Sequence, residues 1–161
     1  MGIFFTAADI YDVAIGIEKN GIVFYTRAAE SSKNSEVKSL YSLLAGEEKK
    51  HLQFFQKLKE SLETSLSPDT LDDEYALYLK ALVDSIVFTP EKNAEVANTS
   101  VIGHDNLALE FAIGRERDSI LFYLEMKPLM SRTGKGALDK LIKEERSHLE
   151  RLSAMKEKIS R

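Results

Sequence analysis

Along four long stretches of the chain, apolar residues recur three or four positions apart, and nowhere do they alternate with the two-residue period of a strand. In the first stretch Ile10, Val13, Ala14, Ile17, Gly21, Phe24 and Ala28 form one stripe, with Thr6 or Asp9 placed to cap its start. Ser31 to Ser35 is a polar break, after which Val37, Leu40, Leu43, Leu44, Phe55, Leu58 and Leu62 continue the period. The third stretch runs from about Asn106 to Met126 and stops short of Pro128. The fourth starts between Ser131 and Lys135 and carries Leu138, Leu141, Leu152 and Met155. Between the second and third, Ser67-Pro68-Asp69 breaks the chain, and Thr70 to Phe88 has the pattern of a shorter amphipathic helix. Thr89-Pro90-Glu91 opens another short helix, since proline is tolerated in a first turn. The pattern predicts an all-α domain: antiparallel hairpins at about 7–64 and 105–160, joined by a long, partly helical crossover over about 65–104.

Each stripe is interrupted by charge at one level. Glu18 follows Ile17 and precedes Gly21, His51 lies between Leu44 and Phe55, and Glu116 lies among Ala112, Ile113 and Ile120. The interruptions are duplicated. Ala14-Ile-Gly-Ile-Glu18-Lys-Asn-Gly-Ile-Val-Phe-Tyr25 returns as Ala112-Ile-Gly-Arg-Glu116-Arg-Asp-Ser-Ile-Leu-Phe-Tyr123, and Glu48-Lys-Lys-His51 returns as Glu145-Arg-Ser-His148. Glu116 stands 98 residues after Glu18, while Glu145 and His148 stand 97 after Glu48 and His51, so the halves differ by one residue between helices. Two copies of one hairpin related by a pseudo-two-fold axis would give this spacing. Glu18 and Glu48 are each 15 residues from Lys33, at the centre of the first turn, and Glu116 and Glu145 are equidistant from Met130-Ser131. At ~1.5 Å per residue, all four meet mid-helix, roughly 22 Å from the turns.

Positions i and i+3 share a helix face, so each Glu-x-x-His pair points one way. Chance placement of the three histidines among the glutamates would give about 0.3 such pairs; two occur, both on an apolar face and both in register with a duplicated lone glutamate. Buried carboxylates without compensation cost on the order of several kcal/mol each. Two divalent cations would balance four glutamates while both histidines stay neutral. Oxygen-rich donors with one imidazole per metal suit iron or manganese, so two non-haem iron ions are expected, with manganese as the alternative. In the expected arrangement Glu18 and Glu116 are terminal ligands, Glu48 and Glu145 bridge, and His51 and His148 complete one ion each. Tyr25 and Tyr123 follow the lone glutamates by seven residues on nearly the same face. They either donate to carboxylates behind the site or are core aromatics whose hydroxyls are satisfied elsewhere. Glu47 and Glu144 point about 100° away from the motifs and read as solvated charges. His104 lies outside the repeat and reads as a surface or capping residue.

Composition narrows the picture. With 43% apolar and 30% charged residues in 161, the chain reads as an ordinary soluble protein, large enough for one core. A net charge of −4 with no basic run argues against nucleic acid as a partner. The absence of cysteine excludes disulfides, thiolate chemistry and iron–sulfur or rubredoxin-type centres. The apolar runs fall far short of a membrane span, and the start lacks a signal peptide's layout, so a cytoplasmic protein is expected. Met1-Gly2-Ile-Phe-Phe-Thr6 fits the loose N-myristoylation pattern, although Phe4 and Phe5 packed against the bundle is the plainer reading.

The doubled Ala-Ile-Gly-x-Glu…Phe-Tyr phrase and the doubled Glu-x-x-His make the chain resemble the ferritin-like di-iron carboxylate superfamily, and within it the rubrerythrin-like group. The resemblance covers both hairpins. It implies a four-helix bundle with one long crossover, a non-haem di-iron centre, chemistry on hydrogen peroxide or dioxygen, and a homo-oligomer, with a dimer favoured. Two departures stand out. Rubrerythrins proper add a cysteine-ligated rubredoxin domain that delivers electrons, so here an external electron-donor protein is implied. They also carry an extra glutamate three residues after the third-helix ligand; that position is Ser119 here, with Gly21 as its counterpart, which implies a more symmetric centre with less ligand switching. A di-iron oxidoreductase acting on peroxide or dioxygen is the leading expectation. Iron oxidation with storage or transfer, hydroxylation of an organic substrate, and a purely structural metal bundle are the alternatives.

Overall fold

In the computed structural model, which describes residues 7–63, 73–86 and 100–161, every regular element is helical. Helix α1 spans Ala7–Ser31, α2 Ser35–Glu63, α3 Asp73–Ile86, α4 Asp105–Met126 and α5 Arg132–Ile159, with a 3-10 turn at Lys127–Leu129. The long helices fall where the apolar period places them, within a residue or two at their ends. The helix expected over Thr70 to Phe88 is present as α3. Phe4, Phe5 and the myristoylation pattern, the break at Ser67-Pro68-Asp69 and the helix start at Thr89-Pro90-Glu91 lie outside the described residues. No helix among the described residues is long and apolar enough to cross a membrane.

The two turns have different chemistry. In the first, the Asn34 side chain accepts hydrogen bonds from the backbone N–H groups of Glu36 (2.9 Å) and Val37 (3.2 Å), capping α2 through donors that the helix cannot satisfy itself. In the second, Pro128 sits in the 3-10 turn and Ser131 caps α5, its hydroxyl accepting from the Gly134 N–H at 3.2 Å. Gly134 and Gly136 lie inside the start of α5. At Gly134 the approach is close: a Cβ there would stand 3.0 Å from Met130 Cε. At the start of α4, Gly103 takes φ +94°. His104 occupies the N-cap position, exposed, with no capping bond from its side chain.

Contacts between hairpins fix the helix directions. Tyr25 and Tyr123 reach Glu116 and Glu18, so α1 runs antiparallel to α4. His51 and His148 reach Glu144 and Glu47, so α2 runs antiparallel to α5. It follows that α2 and α4 run the same way, which a connection traversing the bundle's length requires. Helix α3 lies against the C-terminal end of α4, where the Tyr75 hydroxyl donates to the Glu125 carbonyl at 2.5 Å.

The core is in two parts. At one end Ile10, Ile17, Phe55, Phe122, Met126 and Leu138 pack together, joined by Leu79 of α3. At the other, Phe24, Val37, Tyr41, Leu44, Leu109 and Leu152 do the same. The buried carboxylates and histidines lie at the level between them.

Replacing Asn34 with alanine is expected to cost about 1 kcal/mol and with glycine only a few tenths. Urea unfolding of the metal-free variants checks this; equal midpoints for Asn34→Ala and wild type would show that the cap contributes nothing.

Candidate metal centre

Every helix of the bundle contributes to one buried cluster: Glu18 from α1, Glu48 and His51 from α2, Glu116 from α4, Glu145 and His148 from α5. None of the six is more than 3% exposed, so the carboxylates have no water to solvate them. Their donor atoms form two overlapping groups. Glu18, Glu48, His51 and Glu145 make one and Glu48, Glu116, Glu145 and His148 the other, with the atoms of each group all within 4.8 Å of one another. Glu48 and Glu145 are common to both. The two imidazoles stack with ring centroids 5.5 Å apart.

The histidines present Nδ1 to the carboxylates. His51 Nδ1 lies 2.9 Å from Glu145, 3.2 Å from Glu48 and 3.8 Å from Glu18. His148 Nδ1 lies 3.0 Å from Glu145, 3.7 Å from Glu48 and 3.9 Å from Glu116. Yet neither Glu145 oxygen, and neither His148 nitrogen, has an aligned hydrogen-bond partner among the described residues. Buried polar atoms are nearly always hydrogen-bonded. Atoms that crowd together without bonding one another have the arrangement of ligands aimed at a shared cation, and a set of four carboxylates and two imidazoles fits a pair of hard or borderline divalent ions.

The outer nitrogens correct an expectation. Glu144 and Glu47, read as solvated charges, each lie 2.9 Å from a histidine Nε2: Glu144 from His51 and Glu47 from His148. Each leaves its own helix about 100° from the ligand face, but the neighbouring antiparallel helix lies in that direction, and a glutamate spans the gap. Glu144 stays 62% exposed at its side chain, while Glu47 is more covered and also meets Arg151 at 3.2 Å. Carboxylates in this position fix the ring orientation and direct Nδ1 inward.

Tyr25 and Tyr123 settle between their alternatives in favour of the site. The Tyr25 hydroxyl donates to Glu116 and the Tyr123 hydroxyl to Glu18, so they hold the two lone glutamates themselves, each from the opposite hairpin. Arg115 is the residue that the periodicity did not single out. It is buried beside Glu116, donates through Nη2 to the Ile17 carbonyl at 3.2 Å, and lies over the Tyr25 ring at 5.8 Å. The signal was present as a mismatch: in the repeated phrase, Ile17 of the first copy is replaced by Arg115 in the second.

The rubrerythrin family model matches residues 9–156, nearly the whole chain and all six cluster residues. The chain belongs to the rubrerythrin family. A crystal structure from Thermotoga maritima, described provisionally as a ferritin-like diiron-carboxylate protein, superposes with a TM-score of 0.71 at 24% identity, covering 96% of each chain. At that identity the likeness shows the fold, a ferritin-like all-α bundle. No curated protein matches the chain.

Without metal, the protein must balance its carboxylates with protons. Burial, reinforced by the charges of Glu48 and Glu145, raises Glu18 well above the usual carboxylate range. Burial with the charges of Glu145 and Glu48 raises Glu116 to about 8. Burial also pushes Glu48 and Glu145 upward, but the adjoining histidines outweigh it and hold both below their ordinary range. For His51, burial disfavours the charged ring, but Glu145 and Glu48 pressed against it win and raise it to about 11; His148 is raised likewise, chiefly by Glu116, Glu145 and Glu48.

The signs give a pH dependence. Between pH 4.5 and about 8 the folded protein keeps a proton on Glu116 that the unfolded chain has released, and between 6.5 and about 11 it keeps one on His51. A folded state that binds more protons loses stability as pH rises. The metal-free protein is therefore expected to melt at a lower temperature at pH 8 than at pH 6, and metal loading, which needs those protons gone, reverses the slope. Calorimetry at the two pH values checks it, and a metal-free melting temperature that climbs toward pH 8 contradicts the charge balance described. Glu47→Gln and Glu144→Gln are each expected to weaken metal affinity by about 10–100-fold without unfolding the bundle, as read by competition with a chelator; unchanged affinity in both would limit these carboxylates to surface ion pairs.

Proposed function

We propose that the protein is a di-iron oxidoreductase that reduces hydrogen peroxide or dioxygen with electrons from a separate donor protein. The observation that carries this reading is the pair of overlapping four-residue groups, buried and sharing Glu48 and Glu145. A single structural metal would need only one such group. Two groups with common carboxylates suit two ions: Glu18 and His51 would serve one, Glu116 and His148 the other, with Glu48 and Glu145 available to both.

An iron pair supplies, when bound, two electrons and open coordination positions for a small oxygen species. The remaining work falls to the chain. The Tyr25 and Tyr123 hydroxyls, each donating to a lone glutamate, keep those side chains oriented. Glu144 hydrogen-bonds His51 through Nε2, and Glu47 lies at ion-pair distance from the corresponding nitrogen of His148. The two apolar cores close over the cluster from both ends and keep bulk water out. Reduction of one peroxide to two waters takes two electrons and two protons, so each turnover must be followed by recharging from outside. These 161 residues hold no cysteine to ligate a rubredoxin-type centre, which supports a donor outside them.

Protein purified without oxygen is expected to hold about two irons per chain by mass spectrometry, in line with the two donor groups. Adding peroxide to the reduced, loaded protein should oxidise the iron within a single mixing experiment, faster than air does. Failure to bind iron or manganese even after reconstitution would reduce the cluster to a polar core; binding with inertness to peroxide would leave iron handling as the function. Glu48→Ala, which removes a residue common to both groups, should abolish loading of the pair. A Glu48→Ala protein that still held two irons would overturn the ligand assignment.

A further inference from the structure

The two half-sites are built from one repeated phrase, and among the buried positions where the copies differ, one exchanges an apolar side chain for a cation. Where the first copy has Ile17, the second has Arg115. Its guanidinium packs closely against Gly21. A Cβ on Gly21 would stand 3.1 Å from Arg115 Nη2, 3.3 Å from Nη1 and 3.3 Å from Glu48 Cγ. Arg115 and the stem of a shared glutamate therefore meet at one point on α1. Ser119, the counterpart of Gly21, takes no part, because its hydroxyl is spent on the Arg115 carbonyl one turn back at 3.0 Å.

Arg115 is only 8% exposed, and its Nη1 has no hydrogen-bond partner among the described residues. Leaving a buried charged donor unpaired is costly, so a partner of opposite charge is called for. Glu116, Glu48 and Glu18 are near enough to act on the guanidinium electrostatically, yet none of them bonds to Nη1.

We propose that Arg115 makes this centre a receptor for one small monoanion: the buried guanidinium and its free Nη1 hydrogens select a species such as hydroperoxide over neutral dioxygen. This rests on the metal-loading reading above. Arg115 acts as a specificity-determining residue at the Glu116 end of the site, and Gly21 is the position that admits it. The Ile17 side, lacking such a cation, has no equivalent preference.

The test uses azide, a small monoanion that is not turned over. Azide is titrated by absorbance into the oxidised, iron-loaded full-length protein, with iron per chain measured on every sample by mass spectrometry. Arg115→Ile recreates the other half's residue, and Arg115→Gln keeps polarity without charge, which covers the case that the isoleucine variant misfolds. Both neutral variants are expected to hold iron as the wild type does and to bind azide about tenfold to a hundredfold more weakly. Arg115→Lys, which keeps the charge, should restore most of the affinity. Equal azide affinity in wild type and the neutral variants, with iron content intact, overturns the proposal and leaves the metal reading standing. Loss of iron from both neutral variants would assign Arg115 to holding the metal pair and likewise overturn it. A wild type that takes up no metal brings down both readings.

Discussion

The burial of four carboxylates at one level of a helical bundle is the constraint from which the rest of the structure follows. Glu18, Glu48, Glu116 and Glu145 divide the apolar interior into two cores, and each is almost wholly withdrawn from water. Four like charges at this proximity are tolerable only with compensating positive charge. In the metal-free molecule that charge is protons, on two histidines held charged and two glutamates held neutral. The same six side chains form two overlapping donor groups, so metal bound there would replace those protons as the compensating charge.

The polar layer also decides how the hairpins dock. Within each hairpin the helices are held by long apolar stripes and a capped turn. Between hairpins the fixed points are reciprocal polar pairs: Tyr25 with Glu116, Tyr123 with Glu18, His51 with Glu144, His148 with Glu47. Apolar stripes tolerate sliding, because one leucine contact resembles the next. A phenol on a carboxylate, or an imidazole on one, does not. The pairs that orient the metal ligands are therefore the same pairs that set the register between hairpins, so fold and site are specified together.

Most of this is legible in the sequence, and for a definite reason. A helix repeats its faces every three to four residues, so a charge that falls on an apolar stripe announces itself as buried, and Glu18, His51 and Glu116 do so. Duplication adds register: equal offsets between the two copies put the ligands at one height along the bundle. What stays hidden depends on reach rather than face. Glu47 and Glu144 lie off the ligand face, and only the position of the neighbouring antiparallel helix, which one helix's periodicity does not encode, turns them onto a histidine. Arg115 is hidden differently. A single long cation at an apolar position is ordinarily a chain that snorkels to the surface, and its burial depends on the absence of a side chain at Gly21 on another helix.

Symmetry makes the departures informative. Two identical half-sites would place both metals in the same field, and neither would be distinguished as the point where a ligand enters. Here the frames match, down to the tyrosine that braces each lone glutamate, but the surroundings do not. Behind Glu18, Tyr123 packs on Phe55, an apolar neighbour, at 5.1 Å. Behind Glu116, Tyr25 stacks on Tyr41 at 5.9 Å and carries the Arg115 guanidinium over its ring. A positive charge on one side of a closed, weakly screened cluster acts across the whole of it, but it acts more strongly on the nearer half. On the proposed reading, an incoming negative charge is drawn to the Glu116 end first. Two halves that carry the same cluster residues are in this way made unequal, by Arg115 in the second copy and by Gly21, against which its guanidinium packs.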